Sequence, residues 1–236
     1  MKIKYILFDL DGTLLPMEQE EFTKAYFGSI AKTLAPIGYE PKKLVESIWS
    51  GTIDMIKNDG AMTNEEVFWN KFCEIYGDQA RLDNKYFDDY YKTNFDSVRG
   101  SCGYNEMSAK VVAALKNKGY KLALATNPIF PSIATEKRIA WAGLDRNDFE
   151  LYTTYENSKH CKPNLEYYKD ILSSLGATAE ECLMVGNDVS EDMVVSELGL
   201  KVFLVTDNLI NKYNKDISNY TQGSLEDLLE YLNTLN

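Results

Sequence analysis

Histidine is almost absent from this chain: His160 is the only one in 236 residues. That argues against a Ser-His-Asp hydrolase and against zinc sites built on two histidines. Its neighbour Cys161 makes a conceivable metal pair, but two adjacent ligands without others read as plain loop residues. Cysteine is sparse as well. Cys73, Cys102, Cys161 and Cys182 lie far apart and form no Cys-x-x-Cys, so reduced thiols of a cytosolic protein are expected. No apolar run is long enough to cross a bilayer, and a strand already opens at residue 3, so no secretory or transit segment is expected and the location reads as cytoplasmic. Positive charge is also short. There are 25 Lys plus Arg against 36 Asp plus Glu, a net charge of −11. Such a surface repels nucleic acid and anionic membranes, so neither is an expected partner. It also repels phosphorylated metabolites at long range. Any anionic substrate then needs local positive elements: a lysine, a metal ion, helix N-termini.

What the chain does contain is a strand that ends in two carboxylates. Ile3, Tyr5, Ile6, Leu7 and Phe8 read as a buried strand, and Asp9-Leu10-Asp11-Gly12-Thr13-Leu14-Leu15 follows. Side chains alternate along a strand, so Asp9 and Asp11 point one way and Leu10 the other. Gly12 lets the chain turn sharply. Adjacent carboxylates repel and need a cation or a shared proton. One could then be a nucleophile and the other a proton donor, with a metal between them. Asp and Gly are also ordinary turn residues; the buried strand before them, and partners further along, separate this motif from a capped turn.

The rest of the chain falls into two patterns. Residues 17–98 hold no convincing strand and read as four helical stretches: Glu18–Leu34, one from Pro41 to just before Asn58, one from a Thr63/Glu66 capping box to Gly77, and Asn84–Val98. Short links suggest a small bundle. The aromatics Tyr86, Phe87, Tyr90, Tyr91 and Phe95 read as its core. From about residue 104, helices and strands alternate. Strands are expected at Lys121–Thr126, Phe149–Thr154, Cys182–Val185 and Lys201–Thr206. Helices are expected at Met107–Lys118, Ser132–Ala142, Pro163–Gly176, Ser190–Gly199 and from Ser224. This predicts an α/β fold: a Rossmann-like parallel sheet with helices on both faces, residues 1–16 and 99–236, interrupted by a helical insert at 17–98. In such sheets ligands sit beyond the carboxyl ends of the strands. There the chain places Asp9 and Asp11, then Thr126-Asn127, then Lys162-Pro163, then Gly186-Asn187-Asp188-Val189-Ser190-Glu191-Asp192.

Those four motifs, in that order, resemble the signatures of the haloacid dehalogenase-like superfamily. The helical insert resembles its α-helical cap of the first type, as in phosphoglycolate phosphatases, 5'-nucleotidases and β-phosphoglucomutases. The match runs from Phe8 to Asp192. The resemblance implies that Asp9 is the nucleophile, forming an aspartyl-phosphate, and that Asp11 is the general acid and then base. Dehalogenases and phosphonate hydrolases of the family lack an aspartate at the position of Asp11, so its presence favours phosphate esters. Thr126 and the Asn127 backbone would bind the phosphoryl oxygens, Lys162 would offset the charge of Asp9 and phosphate, and Mg2+ would sit between Asp9, the Asp11 carbonyl and Asp188. Asp192 would hold Lys162 or a metal-bound water. Asn187 departs from patterns with an acid at its place. The implied activity is a magnesium-dependent phosphatase acting on a small phosphorylated metabolite. A phosphosugar mutase is the alternative, and a non-catalytic binding domain is disfavoured because every catalytic position is filled. Candidate substrate contacts in the insert are Lys24, Tyr26, Trp49, Lys57 and Asn58.

Overall fold

Six short strands, all parallel, form one sheet in the order β3-β2-β1-β4-β5-β6. They are β1 (Tyr5–Phe8), β2 (Lys121–Leu124), β3 (Leu151–Tyr152), β4 (Cys182–Gly186), β5 (Lys201–Val205) and β6 (Thr221–Gly223). The structure, a computed structural model, describes residues 2–234. β1 lies in the middle, with Phe8 opposite Leu124 of β2 on one side and Val185 of β4 on the other. The chain order reverses at β1, so a crevice opens at its carboxyl end. Ile6, Leu7, Phe8 and every residue of β4 are buried, as expected for a parallel sheet covered on both faces.

Between β1 and the next sheet strand come α1 (Gln19–Leu34), α2 (Pro41–Ile56), α3 (Asn64–Tyr76) and α4 (Asn84–Thr93), then α5 (Glu106–Asn117). Local chemistry fixes their starts. The Glu40 carboxylate accepts from the Lys42 and Lys43 amides ahead of α2, and Pro41 needs no partner at the first helical position. Thr63 and Glu66 close the capping box at α3. The remaining helices are α6 (Ser132–Trp141), α7 (Leu165–Leu175) and α8 (Leu225–Thr234). α7 is capped by Asn164 and ended by Gly176 in the left-handed conformation.

Three elements depart from the sequence reading. The fourth helix stops at Thr93 and continues as a 3-10 turn over Phe95–Ser101. With three residues per turn, Phe95 and Val98 both stay buried, and Phe95 stacks on Trp141 at 5.0 Å. The helix expected from Ser190 is instead a 3-10 turn, Met193–Leu198. Ahead of it Asp188 accepts the Ser190 and Glu191 amides and gives its own amide to Asp192, so a side-chain-held turn occupies the expected helix start. The stretch after β5, read as loop, contains β6; its residues are exposed or half-buried and carry no apolar pattern, as befits a short edge strand.

The helical insert is tied to the sheet at several points. Gly103 donates to the Pro16 carbonyl where the chain leaves and returns. The first turn of α3 docks on the loop after β3: the Asn64 amide donates to Ser158 and the Glu65 amide to Tyr155. The fully buried Asn64 side chain donates to the Pro128 carbonyl at 3.1 Å and accepts from Asn58 at 2.8 Å. All four cysteines are free thiols. Among the described residues, no helix is long and apolar enough to cross a membrane.

Candidate active site

The carboxyl ends of β1, β2 and β4 converge on one cavity of about 330 Å³, roofed by α1, α2 and side chains of α3 and α4. Asp9 follows β1 directly. Its backbone continues the ladder by donating to the Val185 carbonyl at 2.9 Å. Asp11 sits two residues on, in a turn whose amides fold back on the Leu10 carbonyl. Gly12 has φ 88° and lies so near Asn187 that a Cβ there would come within 2.3 Å of its amide nitrogen. Only glycine fits both demands. Asp9, Asp11, Thr126, Asn127, Asp188 and Asp192 all line the cavity.

Lys162 lies beneath this floor. Its ammonium donates to Asp9 Oδ1 at 2.7 Å and to Asp192 Oδ1 at 2.6 Å, and its side chain is 1% exposed. Burial works against its charge, but Asp192 and Asp9 outweigh that and hold its pKa well above the ordinary lysine value. Burial pushes Asp192 up to about 7 against the pull of Lys162. The two short contacts favour the ion-paired form, in which the lysine is charged. Asp192 spends its other oxygen on the Asp188 amide at 3.0 Å. A Cβ on Gly186 would meet that oxygen at 2.1 Å, so β4 must end in glycine for Asp192 to come this close. Asp188 in turn accepts the Ser190 and Glu191 amides through Oδ1.

Four participants had no role assigned from the sequence. Thr13 donates to Asp9 Oδ2 at 3.3 Å and to Asn187 Oδ1 at 3.0 Å. Asn187 passes the link on to the Asn208 carbonyl, so it fills a structural position rather than an acidic one. Arg138, 1% exposed on α6, pairs with Asp11 Oδ2 and sits 4.6 Å from the Phe130 ring centroid. Burial raises the Asp11 pKa and Arg138 opposes the rise. The signal for Arg138 was its place in the helix stripe Ala134, Arg138, Trp141, where a charge among inward positions implies a buried partner. Glu191 also lines the cavity. It accepts from the Asn127 amide group at 3.2 Å, and burial pushes its pKa up to about 7.

Of the candidate contacts in the insert, Tyr26 and Trp49 line the cavity; Lys24, Lys57 and Asn58 do not. Asn58 bonds instead to Asn64 and Met62. His160 pairs with Asp170 at 2.8 Å, outside the site.

The donor set here is all oxygen, which suits a hard divalent cation. Asp11 Oδ1 is buried and has no protein partner. Among the described residues no three His, Cys, Asp or Glu side chains form a ready metal cage. An ion would therefore lean on one or two carboxylates, a backbone carbonyl and waters, which is the manner of magnesium.

A central parallel strand thus ends in two aspartates, one of them on a buried lysine, at the point where the strand order of the sheet reverses. The chain belongs to the haloacid dehalogenase-like hydrolase family, whose model it matches over residues 3–194. It is 26% identical over 235 residues to the pyrophosphatase PpaX of Halalkalibacterium halodurans, covering 98% of this chain and 97% of that protein. Among solved structures it is similar to the HAD-hydrolase YfnB of Bacillus subtilis bound to magnesium (TM-score 0.57, 20% identity, 99% and 100% of the two chains). It is also similar to a 2-haloacid dehalogenase from Pseudomonas syringae (TM-score 0.65, 17% identity, 99% and 100%). The last two establish the fold; the chemistry has to come from the site.

Proposed function

We propose that this protein is a magnesium-dependent phosphatase acting on a small phosphate monoester, with residues 17–98 serving as a cap over the site. The observation that carries this reading is the pairing of Asp9 with Lys162 beside an Asp11 that is partly accessible and held by its own arginine. Lys162 and Thr13 fix the Asp9 carboxylate so that one oxygen can attack phosphorus. The bond between phosphorus and the leaving oxygen breaks, and Asp11 supplies the proton that oxygen needs. Asp11, now ionised, takes a proton from water; the water oxygen attacks phosphorus, and the acyl-phosphate splits to free phosphate and the original Asp9. Burial raises the Asp11 pKa and so favours the acid form for the first step, while Arg138 limits the rise and allows the base form for the second.

Thr126 and the Asn127 amide would hold the transferring phosphoryl oxygens from the β2 side. Asp9, the Asp11 carbonyl and Asp188 would hold the magnesium. Bound there, the ion would supply positive charge to offset that of the phosphoryl oxygens, a task it would share with Lys162. The relative named a pyrophosphatase and the magnesium-bound neighbour support the hydrolytic reading and the metal. A mutase would need cations in the cap for its second phosphate, and no Lys, Arg or His among the described residues lines the cavity. Asp9→Asn should keep its fold by circular dichroism and lose phosphate release from an aryl phosphate by about 10³-fold or more. Retention of a tenth of the wild-type rate would remove Asp9 as nucleophile.

A further inference from the structure

The wall of the cavity divides sharply by chemistry. The floor holds five carboxylates, Asp9, Asp11, Asp188, Glu191 and Asp192. The wall facing them, supplied mainly by the insert, is apolar and aromatic, with Phe22, Phe27, Trp49, Ile56, Phe130 and Tyr155 among its residues. Its polar groups are neutral, namely Gln19, Thr23 and Thr52 together with the hydroxyls of Tyr26 and Tyr91, which bond to each other at 2.8 Å. Among the described residues no cationic side chain lines it. The two nearby cations are sealed away, each 1% exposed: Lys162 is committed to Asp9 and Asp192, and Arg138 to Asp11.

From this we propose, resting on the phosphatase reading, that the site selects monoesters whose leaving group is an uncharged, apolar or aromatic alcohol. It discriminates against pyrophosphate and against leaving groups that carry a carboxylate. The phosphoryl end lies at the floor, where Lys162 and a metal answer its charge. The leaving group then has nowhere to go but the wall. A ring there displaces water from aromatic surface, which is favourable. A second phosphate or a carboxylate there would lose its hydration without gaining a cation, and a buried unpaired charge is strongly disfavoured. The half-exposed Trp49, packed on Phe27 at 5.3 Å, and the half-exposed Ile56 mark the mouth through which the leaving group enters. This preference is that of the chain's own wall and runs against the substrate in the name of its pyrophosphatase relative.

The test compares benzyl phosphate, glucose 6-phosphate, 2-phosphoglycolate and pyrophosphate at fixed magnesium. Benzyl alcohol is no better a leaving group than a sugar hydroxyl, so a preference for it reports the wall rather than intrinsic reactivity. The expected kcat/KM for benzyl phosphate exceeds those for pyrophosphate and 2-phosphoglycolate by about 100-fold or more. Turnover of either anionic-leaving compound within tenfold of benzyl phosphate overturns the proposal and leaves the phosphatase reading standing. Failure to hydrolyse any of the four defeats the phosphatase reading instead. In that event calorimetric binding to Asp9→Asn still ranks the wall, and pyrophosphate bound more tightly than benzyl phosphate overturns the preference. Two variants at the mouth sharpen the result. Trp49→Ala should raise KM for benzyl phosphate about fivefold with kcat changed less than twofold. Ile56→Lys should raise kcat/KM for pyrophosphate about tenfold and lower that for benzyl phosphate. No gain on pyrophosphate in a folded Ile56→Lys protein counts against the proposal.

Discussion

Replacing Lys162 with Met removes the one cation that stands between two buried carboxylates and keeps most of the side-chain volume. The lysine and Asp192 are each 1% exposed and the Asp9 side chain is 10% exposed, so water does little to screen the loss. At contacts of 2.7 and 2.6 Å each pair is worth about 6 kcal/mol with an effective dielectric near 20, before the desolvation of three charges offsets most of it. The net cost of stranding a buried charge is about 3–5 kcal/mol. The cost depends on pH. Without Lys162, buried Asp192 binds a proton more tightly in the folded chain than in the unfolded one, whose carboxylates release theirs near pH 4. The variant is thus relieved at low pH, and its stability falls as pH rises through the raised folded values, which for Asp192 already reach about 7 with the lysine present. Urea unfolding with a chelator present should show a small deficit against wild type at pH 5 and about 3–5 kcal/mol at pH 8. An equal deficit at both pH values, or one under about 1 kcal/mol at pH 8, would refute the charge argument and leave only a packing effect.

Other outcomes follow from neighbouring contacts. Burial raises Asp11 and pushes Glu191 up to about 7, so the metal-free protein holds protons that its unfolded chain has released, and should lose stability as pH rises from 5 to 7.5. Magnesium should therefore raise Tm more at pH 8 than at pH 5.5; the reverse order in thermal scans would contradict the proposed ligands. Gly186→Ala drives a methyl into Asp192, and should cost about 1–3 kcal/mol while lowering turnover by displacing the Asp192–Lys162 contact; unchanged kinetics would show that the contact is dispensable. Asn64→Ala takes the Asn64 donor from the Pro128 carbonyl and one of two acceptors from the Asn58 amide, and should cost about 2–4 kcal/mol by chemical denaturation, a value below 1 pointing to solvent entry at that junction.

The sheet strands with dense apolar runs were legible because a fully buried strand has to be apolar throughout, as in Cys182–Gly186. β6 was not, since an edge strand of three residues with exposed side chains leaves no such trace. Helices with explicit caps were read to within a residue or two: Pro41 opens α2, Thr63 and Glu66 open α3, and Gly176 closes α7. The stretch from Ser190 was misread as helix; Asp192 is held by Lys162 and the Asp188 amide, and the Lys162 contact is long-range and invisible to local propensity. The same limit applied in the site. Residues at strand ends could be placed from the topology rule, so Asp9, Thr126 and Asp188 were expected at the sheet edge where they line the cavity. Arg138 comes from the interior of a helix and Glu191 from a run already rich in acids. The stripe marks Arg138 as inward, but which neighbour either residue reaches is not encoded in spacing.

The charge distribution of the site sets an order on any reaction there. The cavity floor carries five carboxylates, and the two cations that answer them are beneath it, each already paired. A phosphate dianion approaching from the cavity therefore first meets negative potential, reinforced by a chain with net charge −11. Burial lets Glu191 keep a proton near neutrality, which softens this field but leaves it negative. A divalent cation at Asp9 and Asp188 would change the sign of the local field at the point where the phosphoryl group must sit. On the phosphatase reading the metal has to bind ahead of the phosphoryl group, and the neutral aromatic wall follows from the same balance. With so little positive charge to spare, the site spends it on the phosphoryl group being transferred and leaves the other end of the substrate to be recognised by surface alone.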